Sequence, residues 1–220
     1  MKQALDAVIV FMRAPLQGKV KTRLARTLGE EKAAEFYRLC IDAAVDEVSQ
    51  LSQDVAKYIA FADSVDEYQT IHMIDLGFEI AFQEGENLGQ RLSNAFDATL
   101  GSGAQKVIIV ASDVPDLDVG LINEAISSLD DSDVVIGPSY DGGYYLIGMK
   151  EPHPELFLNV SWSTEKVYQE TLQAIKEKGL VVRQLPILID IDTEADLRHW
   201  LQIGSNKKQC IMEFIKTVPL

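Results

Sequence analysis

The chain is poor in the residues that build disulfide frameworks and zinc sites. It has two cysteines, Cys40 and Cys210, and three histidines, His72, His153 and His199. None stands at metal-ligand spacing and both cysteines fall in helix-like patterns, so no disulfide framework is expected and a reducing cytoplasm is the expected setting. Basic residues are scarce too: 20 Lys and Arg stand against 34 Asp and Glu, a net charge of −14. That balance speaks against nucleic acid as a partner, because a phosphate backbone calls for basic surface. No apolar run approaches the roughly 20 residues of a membrane span, so no membrane partner is expected. The apolar stretch near the N-terminus is bounded by Asp6 and Arg13 and reads better as a first buried strand than as a signal peptide. Three nucleotide and hydrolase signatures are also missing. There is no nucleophile elbow G-x-S-x-G, the first glycine of a P-loop is absent, and the Gly101–Gly103 pair precedes a strand pattern instead of following one.

What is present is ordinary for one globular domain over residues 1–220, with 47% apolar and 25% charged residues. Residues 7–12 form a continuous apolar run, the pattern of a strand buried on both faces. From 30 to 51 the period changes: Ala33, Tyr37, Ile41, Ala44, Val48 and Leu51 mark one helix face. The same reading predicts strands at 55–61, 78–82, 106–111, 134–136, 144–149 and 181–185. Helices are predicted at 65–76, 88–100, 121–129, 164–178, 194–203 and 207–217. This alternation predicts an α/β fold, three layers α/β/α with a mostly parallel sheet, and strand direction is expected to break at 134–149. Ligands of such sheets lie beyond the carboxyl ends of the strands, so the residues following each strand carry the functional question.

After the first strand come Arg13, Gly18, Lys19, Lys21, Arg23 and Arg26, with no acidic residue among them. Pro15 and Gly18 shape a turn and Thr22 is placed to cap the following helix, an arrangement suited to phosphate. After 106–111 stands Asp113, open between a divalent-cation ligand and a turn residue, with Asp118 a cap candidate. After 181–185 come Asp190 and Asp192, while Thr193 and Asp196 read as a capping box. Asp113 and Asp192, from separate strand ends, together with a donor diphosphate would complete the water-rich shell of Mg2+ or Mn2+. Two close carboxylates without a cation would repel each other. The turn Asp141-Gly142-Gly143 is open between a hairpin and a site where Asp141 accepts from substrate hydroxyls. Asn87 is read as a cap that contributes to a base or sugar pocket, and Trp162 as packing or a stacking platform.

The segments FMRAPLQGKVKTRL, GENLGQRL, VASDVPDL, GPSYDGGYYLIG, VSWST and DIDTEADL run in order over nearly the whole chain. Together they resemble the glycosyltransferase-like family labelled radical-SAM/selenodomain-associated transferase. More distantly, the KTRL element, Asp113-Val-Pro and Asp190-Ile-Asp-Thr look like those of guanylyltransferases and molybdenum-cofactor nucleotidyltransferases. The resemblance implies a nucleotide-diphosphosugar transferase (GT-A, Rossmann-like) fold. It also implies phosphate contacts from Arg13, Gly18, Lys21 and Arg23, and a metal held by Asp113 and Asp192. Where glycosyltransferases of this fold carry Asp-x-Asp, this chain reads Asp113-Val-Pro-Asp116, which leans toward the nucleotidyltransferase pattern. The first expectation is metal-dependent glycosyl transfer from a nucleotide sugar to a small-molecule acceptor, with Asp141 as acceptor ligand or general base. The alternatives are nucleotidyl transfer from an NTP to a phosphorylated small molecule, and non-catalytic nucleotide binding.

Overall fold

The computed structural model describes residues 6–63, 67–204 and 208–218, and among them seven strands and seven of eight helices follow these patterns. β1 (Asp6–Met12) lies between two parallel neighbours, β2 (Val55–Phe61) and β4 (Lys106–Ala111), with Ala7 opposite both Ala56 and Val107. A strand paired on both edges and covered on both faces must be apolar throughout, and Ala7, Val8, Ile9 and Val10 are all buried. β3 (Glu79–Phe82) closes one edge parallel to β2. On the other side β6 (Tyr144–Met149) runs antiparallel to both β4 and β5 (Val134–Pro138), and β7 (Val182–Gln184) returns parallel to β5. The resulting order β3-β2-β1-β4-β6-β5-β7 breaks direction at the hairpin expected from the sequence.

On one face the sheet is covered by α2 (Glu30–Ser49), α3 (Glu67–Asp75) and α5 (Val119–Ser128). On the other lie α4 (Leu88–Gly101), α6 (Val167–Glu177) and a 3-10 turn at Pro154–Phe157. A third apolar cluster joins the short α1 (Ala25–Leu28) and α2 to α7 (Glu194–Ile203) and α8 (Gln209–Ile215), with Trp200 fully buried among them. Burial of each large side chain of this kind stabilises by roughly 1.5–3 kcal/mol. Among the described residues no helix is long and apolar enough to cross a membrane.

Helix starts follow their caps: Asn87 accepts from the Gln90 N–H, Asp118 from the Leu121 N–H, and Thr193 forms the capping box with Asp196. Thr22 is an exception. α1 begins at Ala25 with no side-chain cap, because Lys21 takes a left-handed φ of 46° and residues 22–24 form a turn before the helix. The starts predicted for two helices, at residues 65 and 207, lie outside the described residues.

Candidate functional site

The carboxyl ends of β1, β2, β3, β4, β5 and β7 all point to one edge of the sheet, and the hairpin into β6 turns there as well. A cavity of about 670 Å³ opens at that edge. Its volume lies in the range of small-ligand and nucleotide sites, roughly 300–1,000 Å³. Cations ring it: Arg13, Lys19, Lys21 and Arg23 from the loop after β1, and Arg91 from α4. Asp63, Asp113 and Asp192 share the lining, so five cations stand against three carboxylates, a local excess of positive charge in so acidic a chain and a balance suited to an anion.

Lys21 organises the site. Its ammonium donates to Asp113 Oδ2 at 2.9 Å and to Asp192 Oδ1 at 2.6 Å, and its side chain is only 4% exposed. The backbone explains how three distant residues meet. The segment after β7 lies alongside the end of β5, with Ser139 bridged to Leu188, and then the Ile191 N–H donates to the Asp113 carbonyl (3.3 Å). Burial alone would lower the Lys21 pKa, but Asp113 and Asp192 hold it well above the usual lysine range, so it stays charged. The two carboxylates were expected to repel in the absence of a cation. The chain supplies its own cation instead. Lys21 was read as a phosphate contact, and its ammonium is here engaged by the two residues read as metal ligands.

Tyr37 braces this arrangement from α2. Its hydroxyl accepts the Arg13 N–H at 3.1 Å and lies 2.9 Å from the Ser112 hydroxyl, and the Lys21 ammonium stands 5.7 Å from its ring centre. The ends of β1 and β4 are thereby tied together under the lysine. Gln83, just past β3, does the same for β1 and β2, donating to the Met12 and Ala60 carbonyls.

Asp190 sits at the back of the carboxylate group. Burial, then the charges of Asp141 and Asp113, push its pKa up to about 8, and its Oδ1 is buried with no hydrogen-bond partner among the described residues. A raised carboxyl favours the protonated form in the fold, so its contribution is complete near pH 4 and is lost as pH rises toward 8. Asp190→Asn, melted in EDTA, is therefore expected to match the native chain at pH 4–5 and exceed its stability at pH 8–9. Parallel melting-temperature curves for the two proteins across that range would contradict this reading of Asp190.

The other predicted residues separate into two groups. Arg13 and Arg23 line the cavity: Arg13 pairs with Asp63 (Nε to Oδ2, 2.9 Å), and Arg23 is exposed with Nη1 4.0 Å from Asp192. Gly18, Asn87 and Asp141 are not among the residues lining the main cavity. Gly18 has φ 73° and faces the Glu30 carboxylate, so it shapes the loop. Asp141 is engaged in its own turn, with Oδ1 accepting from Ser139 Oγ (2.6 Å) and the Gly143 N–H (2.8 Å). Asn87 caps α4 and lines a separate, smaller pocket. Sequence reasoning missed Tyr37, Asp63, Gln83 and Arg91. Three of these carried a usable signal: Asp63 and Gln83 follow strands, and Arg91 stands in the GENLGQRL segment.

The fold is that of the nucleotide-diphospho-sugar transferases. A structure from Desulfovibrio desulfuricans G20, provisionally described as a nucleotide-diphospho-sugar transferase, superposes with a TM-score of 0.86 at 29% identity, over 97% of this chain and 95% of that one. A 4-diphosphocytidyl-2C-methyl-D-erythritol synthase from Anaerococcus prevotii shares the fold at a TM-score of 0.55 and 12% identity, over 90% and 97% of the two chains. Residues 45–164 match the profile of the family described as uncharacterized protein conserved in bacteria, DUF2064, and the chain belongs to that family. A 2-phospho-L-lactate guanylyltransferase from Methanobrevibacter smithii is 25% identical over 189 residues, 84% of this chain and 80% of that protein.

Proposed function

We propose that the chain is a nucleotidyltransferase that joins a nucleoside monophosphate from an NTP to a phosphorylated small molecule. The observation that carries this reading is Lys21, fixed between Asp113 and Asp192 in a cavity ringed by further cations. In the proposed step an acceptor phosphate oxygen attacks the α-phosphorus, the bond to the β-phosphate oxygen breaks, and pyrophosphate leaves with the electron pair. Arg13, Lys19 and Arg23 would bind the triphosphate and neutralise charge on the departing pyrophosphate, the preorganised electrostatics on which phosphoryl chemistry depends. The guanylyltransferase relative supports the same reaction class. A second reading, glycosyl transfer from a nucleotide sugar, is supported by the provisional description of the D. desulfuricans protein.

A divalent cation fits the residues present. Asp113 and Asp192 offer partly exposed carboxylates and Asp190 an orphaned oxygen near them, hard donors of the kind Mg2+ and Mn2+ take. Among the described residues no three His, Cys, Asp or Glu side chains are already gathered as a cage, so phosphates and water would complete the shell. Bound there, the ion would supply charge neutralisation of the phosphates. Asp113→Asn or Asp192→Asn should each leave a folded protein of lower melting temperature, since Lys21 loses a partner, and remove the Mg2+-dependent part of nucleotide affinity. An undiminished Mg2+ response in both variants, titrated against EDTA, would leave the two carboxylates with a structural role only.

The reaction class is tested by the phosphorus product. A panel of nucleotide sugars incubated with pyrophosphate and Mg2+ should yield an NTP, the reverse of the proposed transfer. Release of nucleoside diphosphate instead, independent of pyrophosphate, would favour glycosyl transfer.

A further inference from the structure

The GENLGQRL and VSWST segments, far apart in the chain, meet at a second pocket of about 260 Å³ between the start of α4 and the loop after the 3-10 turn. None of its lining residues is charged, in a chain one quarter of whose residues are. Its polar lining is Asn87, Gln90, Ser93, Asn94 and Asn159, set beside the indole of Trp162. Half of each carboxamide on α4 is already fixed. Asn87 Oδ1 accepts from Gln90 N–H (3.0 Å), Gln90 Oε1 from Glu86 N–H (2.8 Å), and Asn94 Nδ2 donates to the Glu84 carbonyl (2.9 Å). Among the described residues no partner engages the Asn87 and Gln90 NH2 groups or Asn94 Oδ1; all three residues are exposed, so these donors and this acceptor are open to water or a ligand.

The aromatic wall is fixed as well. A Cβ on Gly89 would come 2.6 Å from Trp162 Nε1, so the indole packs directly on the α4 backbone, and glycine in the first helical turn is what that approach requires. Trp162 also meets the rings of Phe157 and Tyr144. Tyr144 lines the main cavity, as do Leu88 and Arg91 from the same two turns of α4, so the two pockets share a wall. Asn159, also in the lining, holds a left-handed φ of 58°, a conformation that asparagine adopts more readily than most residues.

We propose that this pocket binds a neutral, polyhydroxylated ring. Exposed carboxamide donors and acceptors match vicinal hydroxyls, an indole offers an apolar wall to the C–H face of such a ring, and the absence of charge disfavours a phosphate. The proposal stands apart from the transfer reading, because the binding it predicts needs no nucleotide. Such a ring reaches a protein either as a free saccharide or as the ribose of a nucleoside.

The test is the fluorescence of the full native chain, titrated without nucleotide. One arm uses glucose, galactose, mannose and ribose, a second guanosine and cytidine, and a third glucose 6-phosphate. Trp200 is fully buried and gives a constant background. At least one neutral ring should give a saturable change, glucose 6-phosphate should bind no more tightly than glucose, and the response should be insensitive to salt. Gln90→Ala and Asn159→Gly, the latter keeping the backbone, should each weaken the response roughly tenfold, the effect of one lost hydrogen bond. Three results would overturn the proposal: no saturable change in any arm, tighter binding of the phosphorylated sugar, or a response that survives both variants and disappears in Arg23→Ala.

Discussion

Lys21→Met is expected to lower stability by about 2–3 kcal/mol and to abolish nucleotide binding. Removing one partner of a buried ion pair costs roughly 3–5 kcal/mol when the remaining charge is left without compensation. Here Asp113 and Asp192 keep 29% and 42% of their side-chain surface in water, so the expected loss is smaller. Without the ammonium the two carboxylates face each other, with Asp190 and Asp141 near, and their repulsion should return. Mg2+ should then stabilise the variant more than it stabilises the native chain. Lys21→Gly separates charge from backbone, since it relieves a left-handed φ of 46°, worth about 1 kcal/mol, while removing the same ammonium. Chemical denaturation of the three proteins with and without Mg2+ reads all of this. If Lys21→Met were as stable as the native chain and gained nothing from Mg2+, the lysine would not be what joins the two strand ends.

Gly142→Ala is expected to cost about 3 kcal/mol or more, the size of effect that backbone overpacking produces. Gly142 has φ 90°, and a Cβ there would lie 2.2 Å from the Glu165 carbonyl oxygen and 2.6 Å from its Cα. Those are backbone atoms and cannot rotate away. The Gly142 carbonyl also accepts the Tyr168 N–H at 2.9 Å, so moving the turn would pull on the start of α6. Gly179→Ala is the matched control: φ is 69°, nothing lies within 4 Å of its Cβ position, and only the conformational cost of about 1 kcal/mol applies. Equal denaturation midpoints for the two variants would mean that the turn yields freely and that its packing on residue 165 does not hold it.

The central strands were legible because a parallel sheet buried on both faces leaves continuous apolar runs, as at residues 7–10 of β1 and 107–110 of β4. α7 was legible at both ends, its start marked by the Thr193–Asp196 capping box. The four-residue α1 and the 3-10 turn were not, since neither is long enough to develop a period. Strand ends pointed to Asp113 and Asp192. They could not reveal that Lys21 lies between them, because that depends on the Ile191–Asp113 backbone bond and on a left-handed lysine. Tyr37 was hidden for a different reason: an aromatic on the buried face of a long helix looks like core until its hydroxyl is seen between Arg13 and Ser112. Asp141 and Asn87 carry turn and cap chemistry and do not line the main cavity, which no strand-end rule reveals; Asn87 faces the second pocket instead.

The cations around Lys21 are expected to hold a polyphosphate. Calorimetric titration of GTP and CTP, with Mg2+, into the native chain, Arg23→Ala and Arg38→Ala tests it most directly. Arg23 lines the cavity beside Asp192, whereas Arg38 is exposed on α2 and does not line it. At least one nucleotide should bind the native chain and Arg38→Ala alike. It should bind Arg23→Ala about tenfold more weakly, since a charge-assisted phosphate contact contributes roughly 1.5–3 kcal/mol. Equal affinity in all three proteins, or no binding heat in any, would contradict the claim.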